Sequence, residues 1–278
     1  MIRKRKIVNN LALLFCIFTA LWGLFWLFYI LTDVVRHGIT ALTPALILND
    51  PAPPGVPGGG LRHALIGHLF ITLIATLIGV PLGILGGTFL AEYGRNLKLT
   101  RLISFLADIM VSVPAIIVGA FVYALFVRPI GHFNALSGGI ALAIIMIPVI
   151  VRTTENMLSL IPWTLREAAF ALGAPYYKVI FQVVYRGAGV GIFTGVILAI
   201  ARVTGEAAPL LFTSFNNSFT SYNLFQPMAS LTVTIFQYAM GPYEDWHRQA
   251  WGASFLITLF ILLLAVLGRY LIRRRFRS

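Results

Sequence analysis

The chain has 278 residues, of which 59% are hydrophobic and only 11% are charged, and its mean hydropathy is +0.88. Because a soluble domain carries about 25% charged residues, this composition excludes a soluble globular protein and predicts an integral membrane protein. The net charge of +12 raises the question of nucleic acid binding, but no basic stripe interleaved with aromatic residues accompanies it. A single cysteine, Cys16, lies inside an apolar run, which excludes a disulfide within the chain and a cysteine metal site.

The first predicted element is an apolar run from Leu11 to Leu31 that follows a basic N-terminus, Arg3 to Lys6. A basic start before an apolar run is also typical of a signal peptide. This run is 21 residues long. Signal peptides usually have about 7–15 apolar residues followed by a small-residue cleavage site, and no such site follows here. We therefore predict a retained transmembrane helix.

Six apolar stretches reach the length of about 20 residues that a helix needs to cross a bilayer. They cover residues 11–32, 64–90, 102–127, 136–154, 187–211 and 251–271. The prediction is an all-α integral membrane protein, with one membrane domain over 1–278 and six transmembrane helices. In the second stretch Gly79, Gly83 and Gly87 recur every four residues, a spacing that favours close packing of two helices.

The distribution of Lys and Arg between the loops predicts the orientation of the chain. If both termini are cytoplasmic, 16 of the 21 basic residues lie in the termini and the inner loops, and four lie in the outer loops. Short cytoplasmic loops of membrane proteins are enriched in Lys and Arg. Both termini, and the loop between the fourth and fifth stretches, are therefore predicted to be cytoplasmic.

Patterns for nucleotide binding, metal binding and nucleophilic catalysis are missing from the sequence. The Pro- and Gly-rich segment 51–60 lies in the first outer loop and predicts irregular turns, and the chain contains no Walker A pattern. The five histidines are scattered without metal-ligand spacing. We predict a protein that is not an enzyme and that needs no metal or cofactor. If ATP drives it, another chain binds the nucleotide.

The loop between the fourth and fifth stretches predicts two short helices joined by a turn. The first helix begins with Glu167, Ala168 and Ala169 and ends at Gly173, and Pro175 can start the second because its missing N–H is not needed there. One apolar face of the second helix consists of Val179, Ile180, Val183 and Val184. We call residues 166–186 the docking loop, since a helix–turn–helix knob on a membrane surface is shaped to fit another protein.

The docking loop resembles the EAA loop of permease subunits of ATP-binding-cassette (ABC) importers. That motif reads Glu-Ala-Ala, three residues, Gly, nine residues, then an aliphatic pair ending in Leu-Pro. The matching residues are Glu167, Ala168, Ala169 and Gly173, with Val183 and Val184 in register. The chain departs from the motif at Tyr185 and Arg186, where Leu and Pro are usual. The resemblance implies a type I importer permease of the MetI-like fold. In that family the loop sits in a groove of the ATPase subunit and passes its motion to the membrane helices.

Four further segments resemble the A-type permeases of phosphate-specific ABC importers. They are Leu90 to Gly94, Val113 to Ile117 with Gly119, Ile147 to Glu155, and Ile197 to Thr213. The matches follow the family's order over about residues 64–270. The last segment is the most specific, although Ala207 stands where the family usually has Thr. The resemblance implies the permease subunit of an ATP-driven, high-affinity importer of inorganic phosphate in the bacterial inner membrane.

The same resemblance implies the partners of the chain. A second, homologous permease subunit would complete the path, two ATP-binding subunits would lie below it and a periplasmic phosphate-binding protein above it. Membrane lipid surrounds such a complex, and nucleic acid is not expected. Closure of the ATPases on ATP would push the docking loop and open the path outward, by alternating access.

Arg202 and Glu206 are the only oppositely charged pair deep within a predicted span. On a continuous helix they lie on one face, a turn apart. A charge at the centre of a membrane helix costs roughly 2.5–3.5 kcal/mol, which pairing, water or function must offset. Two hypotheses follow. Either the two side chains neutralise each other, or they line the path, where the planar fork of Arg202 attracts phosphate and Glu206 weakens its grip. In phosphate permeases the corresponding residues are taken as critical for transport, which supports the second hypothesis.

The other acidic residues near the spans are expected to have structural partners. We expect Asp108 to cap a helix or to pair with Arg101 rather than to serve transport. We expect Glu92 and Glu155 to pair with Arg95 and Arg152 at the cytoplasmic surface.

Rival functions remain at this point. An ABC permease for another oxyanion, such as molybdate, sulfate or a phosphonate, would have the same architecture. A secondary carrier predicts inverted repeats or several acidic residues within the spans, whereas only Asp108 and Glu206 are present. A membrane enzyme is the weakest rival, because no catalytic constellation is visible.

Overall fold

The computed structural model describes residues 2–94 and 97–275, and almost all of the regular structure in this part of the chain is helical. Its helices are α1 (Ile2–Ala41), α2 (Pro44–Leu48), α3 (Arg62–Thr88), α4 (Lys98–Ser112), α5 (Ala115–Val122), α6 (Arg128–Ile130), α7 (Ala135–Ser159), α8 (Trp163–Ala171), α9 (Tyr176–Val179), α10 (Tyr185–Thr204), α11 (Leu231–Ala239) and α12 (Glu244–Arg275). Short π-helical turns extend or join them at Phe89–Tyr93, Tyr123–Val127 and Ile180–Val184. The all-α class predicted from the six apolar stretches is confirmed.

Five helical stretches of the described residues are long and apolar enough to cross a membrane, and a bent pair of helices makes a sixth crossing if it counts as one. The five are Lys4–Ala41, Arg62–Tyr93, Ala135–Ser159, Tyr176–Thr204 and Glu244–Tyr270, and the bent pair is Lys98–Ser112 with Ala115–Ile130. The fifth predicted span, 187–211, corresponds to a helix that stops earlier, at Thr204.

The third predicted span, 102–127, is a pair of helices that meet at an angle of 106°. α4 ends at Ser112, and Val113 has an extended backbone, with φ −68° and ψ 128°. A following proline disfavours the helical conformation, and Pro114 itself has no N–H to continue the hydrogen-bond ladder. The chain therefore has no continuous helix over 102–127, in contrast to the prediction.

The centre of the bundle is the pair α3 and α7, which run parallel to each other. A Cβ on Gly83 would lie 2.6 Å from the Cβ of Ile150, and one on Gly87 would lie 2.5 Å from the carbonyl oxygen of Val151. Gly139 of α7 meets Ile74 of α3 in the same way. Only glycine allows this approach, so the expectation that the glycine spacing serves helix packing is confirmed.

The outer helices pack around this pair to different extents. α10 contacts α7 through Ala199 and Val203, which are buried in the same apolar core as the α3–α7 contact. Among the described residues, α12 packs against the C-terminal end of α1, where the rings of His37 and Trp251 stack at 4.8 Å. Every large apolar side chain of α1 from Ile7 to Leu31 is at least 41% exposed. A helix that is apolar on all faces and uncovered is suited to lipid or to another membrane chain.

Candidate functional site

Arg202 lies in the last turn of α10, on a face that the chain leaves uncovered. Ala199 and Val203 of α10 turn into the core, whereas Leu198, one turn before Arg202, is 57% exposed. Arg202 is itself exposed, and its guanidinium has no hydrogen-bond or ion-pair partner among the described residues. Its place in the last turn is favourable for a cation, because the carbonyl end of a helix carries partial negative charge.

Glu206 lies beyond the end of α10 rather than on the same helical face as Arg202. The helix stops at Thr204, and the backbone N–H groups of Gly205 and Glu206 close short turns onto the carbonyls of Arg202 and Val203. The carbonyl of Glu206 accepts a hydrogen bond from the Thr232 hydroxyl at 3.1 Å. Within the described part of the chain, the two charged side chains form no ion pair. The prediction that they project from one helix face is therefore wrong.

The segment after Glu206 is fixed against the rest of the bundle. A Cβ on Gly119 of α5 would lie 2.6 Å from the Cα of Pro209, so α5 and this segment touch through their backbones. The N–H of Asn134, which caps α7, donates to the carbonyl of Thr213 at 3.0 Å. The N–H of Ala135 donates to the carbonyl of Gln226 at 3.1 Å. These contacts fix the segment that follows α10 against α5 and the start of α7.

An unpaired guanidinium on a membrane helix is too costly to face hydrocarbon. The exposed face that contains Arg202 therefore needs either water or another protein chain beside it. A guanidinium offers five N–H donors in a rigid plane, which suits bidentate contact with two oxygens of an oxyanion. This arrangement can attract an anion into a membrane path without a protein carboxylate competing for the same donors.

The docking loop has the predicted helix–turn–helix form, although its first helix, α8, begins at Trp163 and not at Glu167. α8 ends at Ala171, Gly173 follows in the left-handed region with φ +79°, and α9 begins after Pro175. On its outer side Glu167, Ala168 and Gly173 are exposed, Ala169 is half-buried, and Leu172 is 88% exposed. Among the predicted apolar face, Val179, Ile180 and Val184 are buried and Val183 is half-buried. The turn and the buried face are confirmed, and the outer side of the knob is open.

The transition from the docking loop into α10 is continuous, although Tyr185 and Arg186 replace the usual Leu-Pro. A π-helical turn over Ile180–Val184 joins α9 directly to α10. Such a turn inserts an extra residue into a helix without ending it. The docking loop is thus joined rigidly to the helix that carries Arg202 at its far end, about 26 Å away at 1.5 Å per residue.

A buried ion pair that the sequence did not suggest joins the docking loop to the end of α3. The Nη2 of Arg166 lies 2.5 Å from the Oε1 of Glu92, and the two side chains are 6% and 1% exposed. Glu92 pairs with Arg166, and its expected partner Arg95 lies outside the described residues. The partners are 74 residues apart in the chain, so no local pattern relates them.

A second polar cluster joins α4 to α7. Arg152 of α7 pairs with Asp108 of α4 and donates at 2.7 Å to Glu155 on its own helix. It also donates to the carbonyl of Ser104 at 2.6 Å. The expected Arg152–Glu155 pair is confirmed, whereas Asp108 pairs with Arg152 and not with Arg101. The cluster fixes α4 beside α7 despite the bend at Pro114.

Comparison with families of known proteins gives a match over most of the chain. The model of the family described as "Binding-protein-dependent transport system inner membrane component" matches residues 79–277. The chain is 48% identical over 265 residues to a phosphate transport system permease protein PstA of Pasteurella multocida, with 95% of this chain and 94% of the relative covered. It is 49% identical to the protein of that name from Haemophilus influenzae over the same shares of the two chains. A "probable" PstA of Methanocaldococcus jannaschii is 34% identical, over 89% of this chain and 87% of that one.

The fold has a counterpart among solved structures. A chain of the MetNI methionine ABC transporter in an inward-facing conformation superposes with a TM-score of 0.61 at 21% sequence identity. The match covers 77% of this chain and 94% of the other. At this identity the likeness establishes the fold alone, and it is the fold of an ABC importer permease.

Proposed function

The chain belongs to the family of binding-protein-dependent transport system inner membrane components, and within it to the PstA permeases, and we propose that it carries inorganic phosphate across the inner membrane as part of an ATP-driven importer. It is a transport subunit and not an enzyme. An ATP-binding subunit and a substrate-binding protein are the partners that this family implies.

The observation that supports phosphate most directly is the unpaired guanidinium of Arg202 on the uncovered face of α10. We assign Arg202 as the group that an anion meets on its way through the path. Glu206, whose side chain stands apart from Arg202 in this conformation, is assigned a second role. As the path changes shape, its carboxylate approaches Arg202, weakens the grip on the anion and eases release.

A second, homologous permease subunit completes the path in our proposal. Two features of this chain favour it: the uncovered face of α10 with Leu198 and Arg202, and the uncovered apolar surface of α1. A pair of such permeases would rest on two ATP-binding subunits. A second chain beside Arg202 would also keep the guanidinium away from lipid.

The docking loop is assigned as the site where the ATP-binding subunit engages. Its outer side exposes Glu167, Ala168 and Leu172, a small mixed surface that fits a groove. Closure of the ATP-binding subunits moves this knob, the bundle rocks, and the path opens outward to receive phosphate from the binding protein. Hydrolysis resets the ATPases, and phosphate leaves inward past Arg202.

This mechanism requires the docking loop and both termini to lie in the cytoplasm. The distribution of Lys and Arg supports that orientation, since 16 of 21 lie on the proposed inner side. Of these, Arg95 and Arg277 lie outside the described residues.

Competition between anions tests the cargo. The chain, its partner subunits and the binding protein are reconstituted in proteoliposomes, and uptake of labelled phosphate is measured with an excess of molybdate, sulfate or a phosphonate. Phosphate as cargo predicts that unlabelled phosphate abolishes uptake of the label and that the other anions leave it nearly unchanged. Stronger inhibition by one of the other anions would assign the path to that oxyanion.

A further inference from the structure

We propose that Glu92, Arg166 and Tyr176, together with the hydrogen-bonded pair Thr88 and Tyr185, form a cytoplasmic clamp that makes the docking loop move as one body with the ends of α3 and α10. The inference rests on the proposed function, because it explains how motion of the docking loop reaches the path. It assigns positioning roles to five residues, of which the transport mechanism above uses none.

The ion pair at the centre of the clamp is bidentate and saturated. Arg166 donates from Nη2 to Oε1 of Glu92 at 2.5 Å and from Nε to Oε2 at 3.3 Å. Its remaining donors reach backbone carbonyls, at 2.5 Å to Ile161 and 3.1 Å to Leu158. The fork geometry of a guanidinium is what allows one side chain to hold the carboxylate and the end of α7 at once.

Tyr176 closes the clamp from the second half of the docking loop. Its hydroxyl donates to the backbone carbonyl of Glu92 at 2.8 Å and lies 3.3 Å from Oε2 of the same residue. Its ring stacks on Phe170 of α8 and meets Tyr93 edge-on, with centroids 5.8 Å and 5.3 Å away. Both helices of the docking loop are thereby tied to one residue at the end of α3.

A second tie connects the ends of α3 and α10. The hydroxyls of Thr88 and Tyr185 lie 2.5 Å apart, and Tyr185 is the first residue of α10. Each of the two residues borders a π-helical turn, Phe89–Tyr93 after α3 and Ile180–Val184 before α10. π-helical turns are rare and occur frequently at functional sites. Here they bring Glu92 to face Tyr176 of the docking loop, and Tyr185, near the end of that loop, to face Thr88.

The burial of the ion pair argues for a mechanical role rather than for stability alone. Replacement of a buried ion pair by apolar residues of similar size is often neutral or stabilising, so stability does not require charges at these positions. What the charges add is a fixed geometry, because four polar contacts from Arg166 and Tyr176 to Glu92 define the position of the loop relative to the end of α3. Two more hydrogen bonds from Arg166, to the carbonyls of Ile161 and Leu158, define its position relative to the end of α7. A push on the knob then displaces the α3–α7 centre of the bundle and α10, with Arg202 at its far end.

The test removes the clamp while it keeps the packing. The double variant Glu92→Leu/Arg166→Met replaces the ion pair by apolar groups of similar length, and Glu244→Leu/Arg248→Met, at exposed positions of α12, removes the same two charges as a control. Each is reconstituted with the partner subunits and the binding protein. Cargo transported per ATP hydrolysed is measured, and so is the distance distribution between spin labels on Lys178→Cys and Leu85→Cys in a Cys16→Ser background.

The clamp predicts an assembled double variant that still hydrolyses ATP, with cargo per ATP lower by about tenfold, a size typical of a lost coupling between sites. The label distribution, narrow in the parent complex, becomes broad. Cargo per ATP and a distance distribution that both match the control would overturn the proposal. The distance measurement does not depend on which anion is carried, so a wrong cargo would appear instead as lack of phosphate uptake in the parent complex.

Should the double variant fail to assemble, Arg166→Lys gives the answer. Lysine keeps the charge but lacks the planar fork, so it cannot hold Glu92 through two oxygens and the Leu158 and Ile161 carbonyls together. The clamp predicts reduced cargo per ATP and a broadened distribution for Arg166→Lys. Parent-like values for both would show that a charge alone suffices and would refute the clamp.

Discussion

Arg202 and Glu206 are four residues apart, yet the end of α10 at Thr204 lies between them and separates their side chains. The guanidinium remains on the uncovered face of the helix, and the backbone of Glu206 is held by Thr232. The arrangement leaves all donors of Arg202 available to an anion. It also means that Glu206 is free to act at another stage of the transport cycle.

The first prediction concerns the shape of the cation at Arg202. We expect Arg202→Gln to reduce phosphate uptake by about tenfold or more, the effect of losing a hydrogen bond to a charged group. Arg202→Lys is expected to recover only part of this loss, because an ammonium cannot contact two oxygens in one plane. Uptake into cells that express all subunits measures both, with Arg248→Gln as the control for the change in charge. Full activity of Arg202→Lys would show that charge alone matters.

The second prediction is that Arg202 and Glu206 contribute independently to stability. Because the two side chains are not paired, the effects of Arg202→Gln and Glu206→Gln on unfolding free energy should add within about 0.5 kcal/mol. Thermal unfolding of the parent, the two single variants and the double variant in detergent gives the double-mutant cycle that measures their coupling energy. A larger coupling energy would mean that the side chains pair in the resting protein.

The third prediction concerns the turn in the docking loop. Gly173 has φ +79°, and a Cβ there would meet no atom within 4 Å, so only the backbone conformation selects glycine. Gly173→Val should weaken the turn by about 1–2 kcal/mol, the cost of a left-handed conformation for an ordinary residue. Gly173→Asn should be milder, because Asn tolerates this conformation.

Co-purification with the ATP-binding subunit is the measurement for these variants. Assembly is expected in the order parent, Gly173→Asn, Gly173→Val. Assembly of both variants to the same extent as the parent would show that the left-handed turn is not needed for docking.

The fourth prediction uses two neighbouring glycines of α3. A Cβ on Gly83 would lie 2.6 Å from the Cβ of Ile150, which cannot move without its backbone. Gly83→Ala should therefore destabilise the protein by about 1–3 kcal/mol through overpacking. A Cβ on Gly86 would approach only the Cγ2 of Val151, at 3.1 Å, so Gly86→Ala should be nearly neutral. Thermal unfolding compares the two, and equal losses would contradict the packing described here.

The docking loop could be predicted from sequence because its signals act locally. Gly173 and Pro175 define the turn through their own backbones, and the aliphatic spacing that follows defines the buried face. The end of α10 had a local signal as well, Gly205, which the four-residue spacing of Arg202 and Glu206 obscured.

The bend at Pro114 and the clamp could not be predicted in the same way. Pro81 and Pro148 remain inside α3 and α7, whereas Pro114 separates two helices, so proline alone does not distinguish a tolerated position from a break. Which of the two occurs depends on the packing around α4, including the contact of Asp108 with Arg152. Glu92 and Arg166 meet only once α3 and the docking loop are folded together. Because they are 74 residues apart in the chain, no local sequence pattern indicates that they pair.

The energy source of uptake tests the central claim most directly. Proteoliposomes that contain the chain, its partner subunits and the binding protein are loaded with ATP on the docking-loop side, and labelled phosphate is supplied on the other. We predict uptake that requires ATP, that persists when a protonophore collapses the proton gradient, and that falls when Glu167 and Gly173 are both replaced. Uptake that continues without ATP, or that stops with the proton gradient, would contradict an ATP-driven permease and favour a secondary carrier.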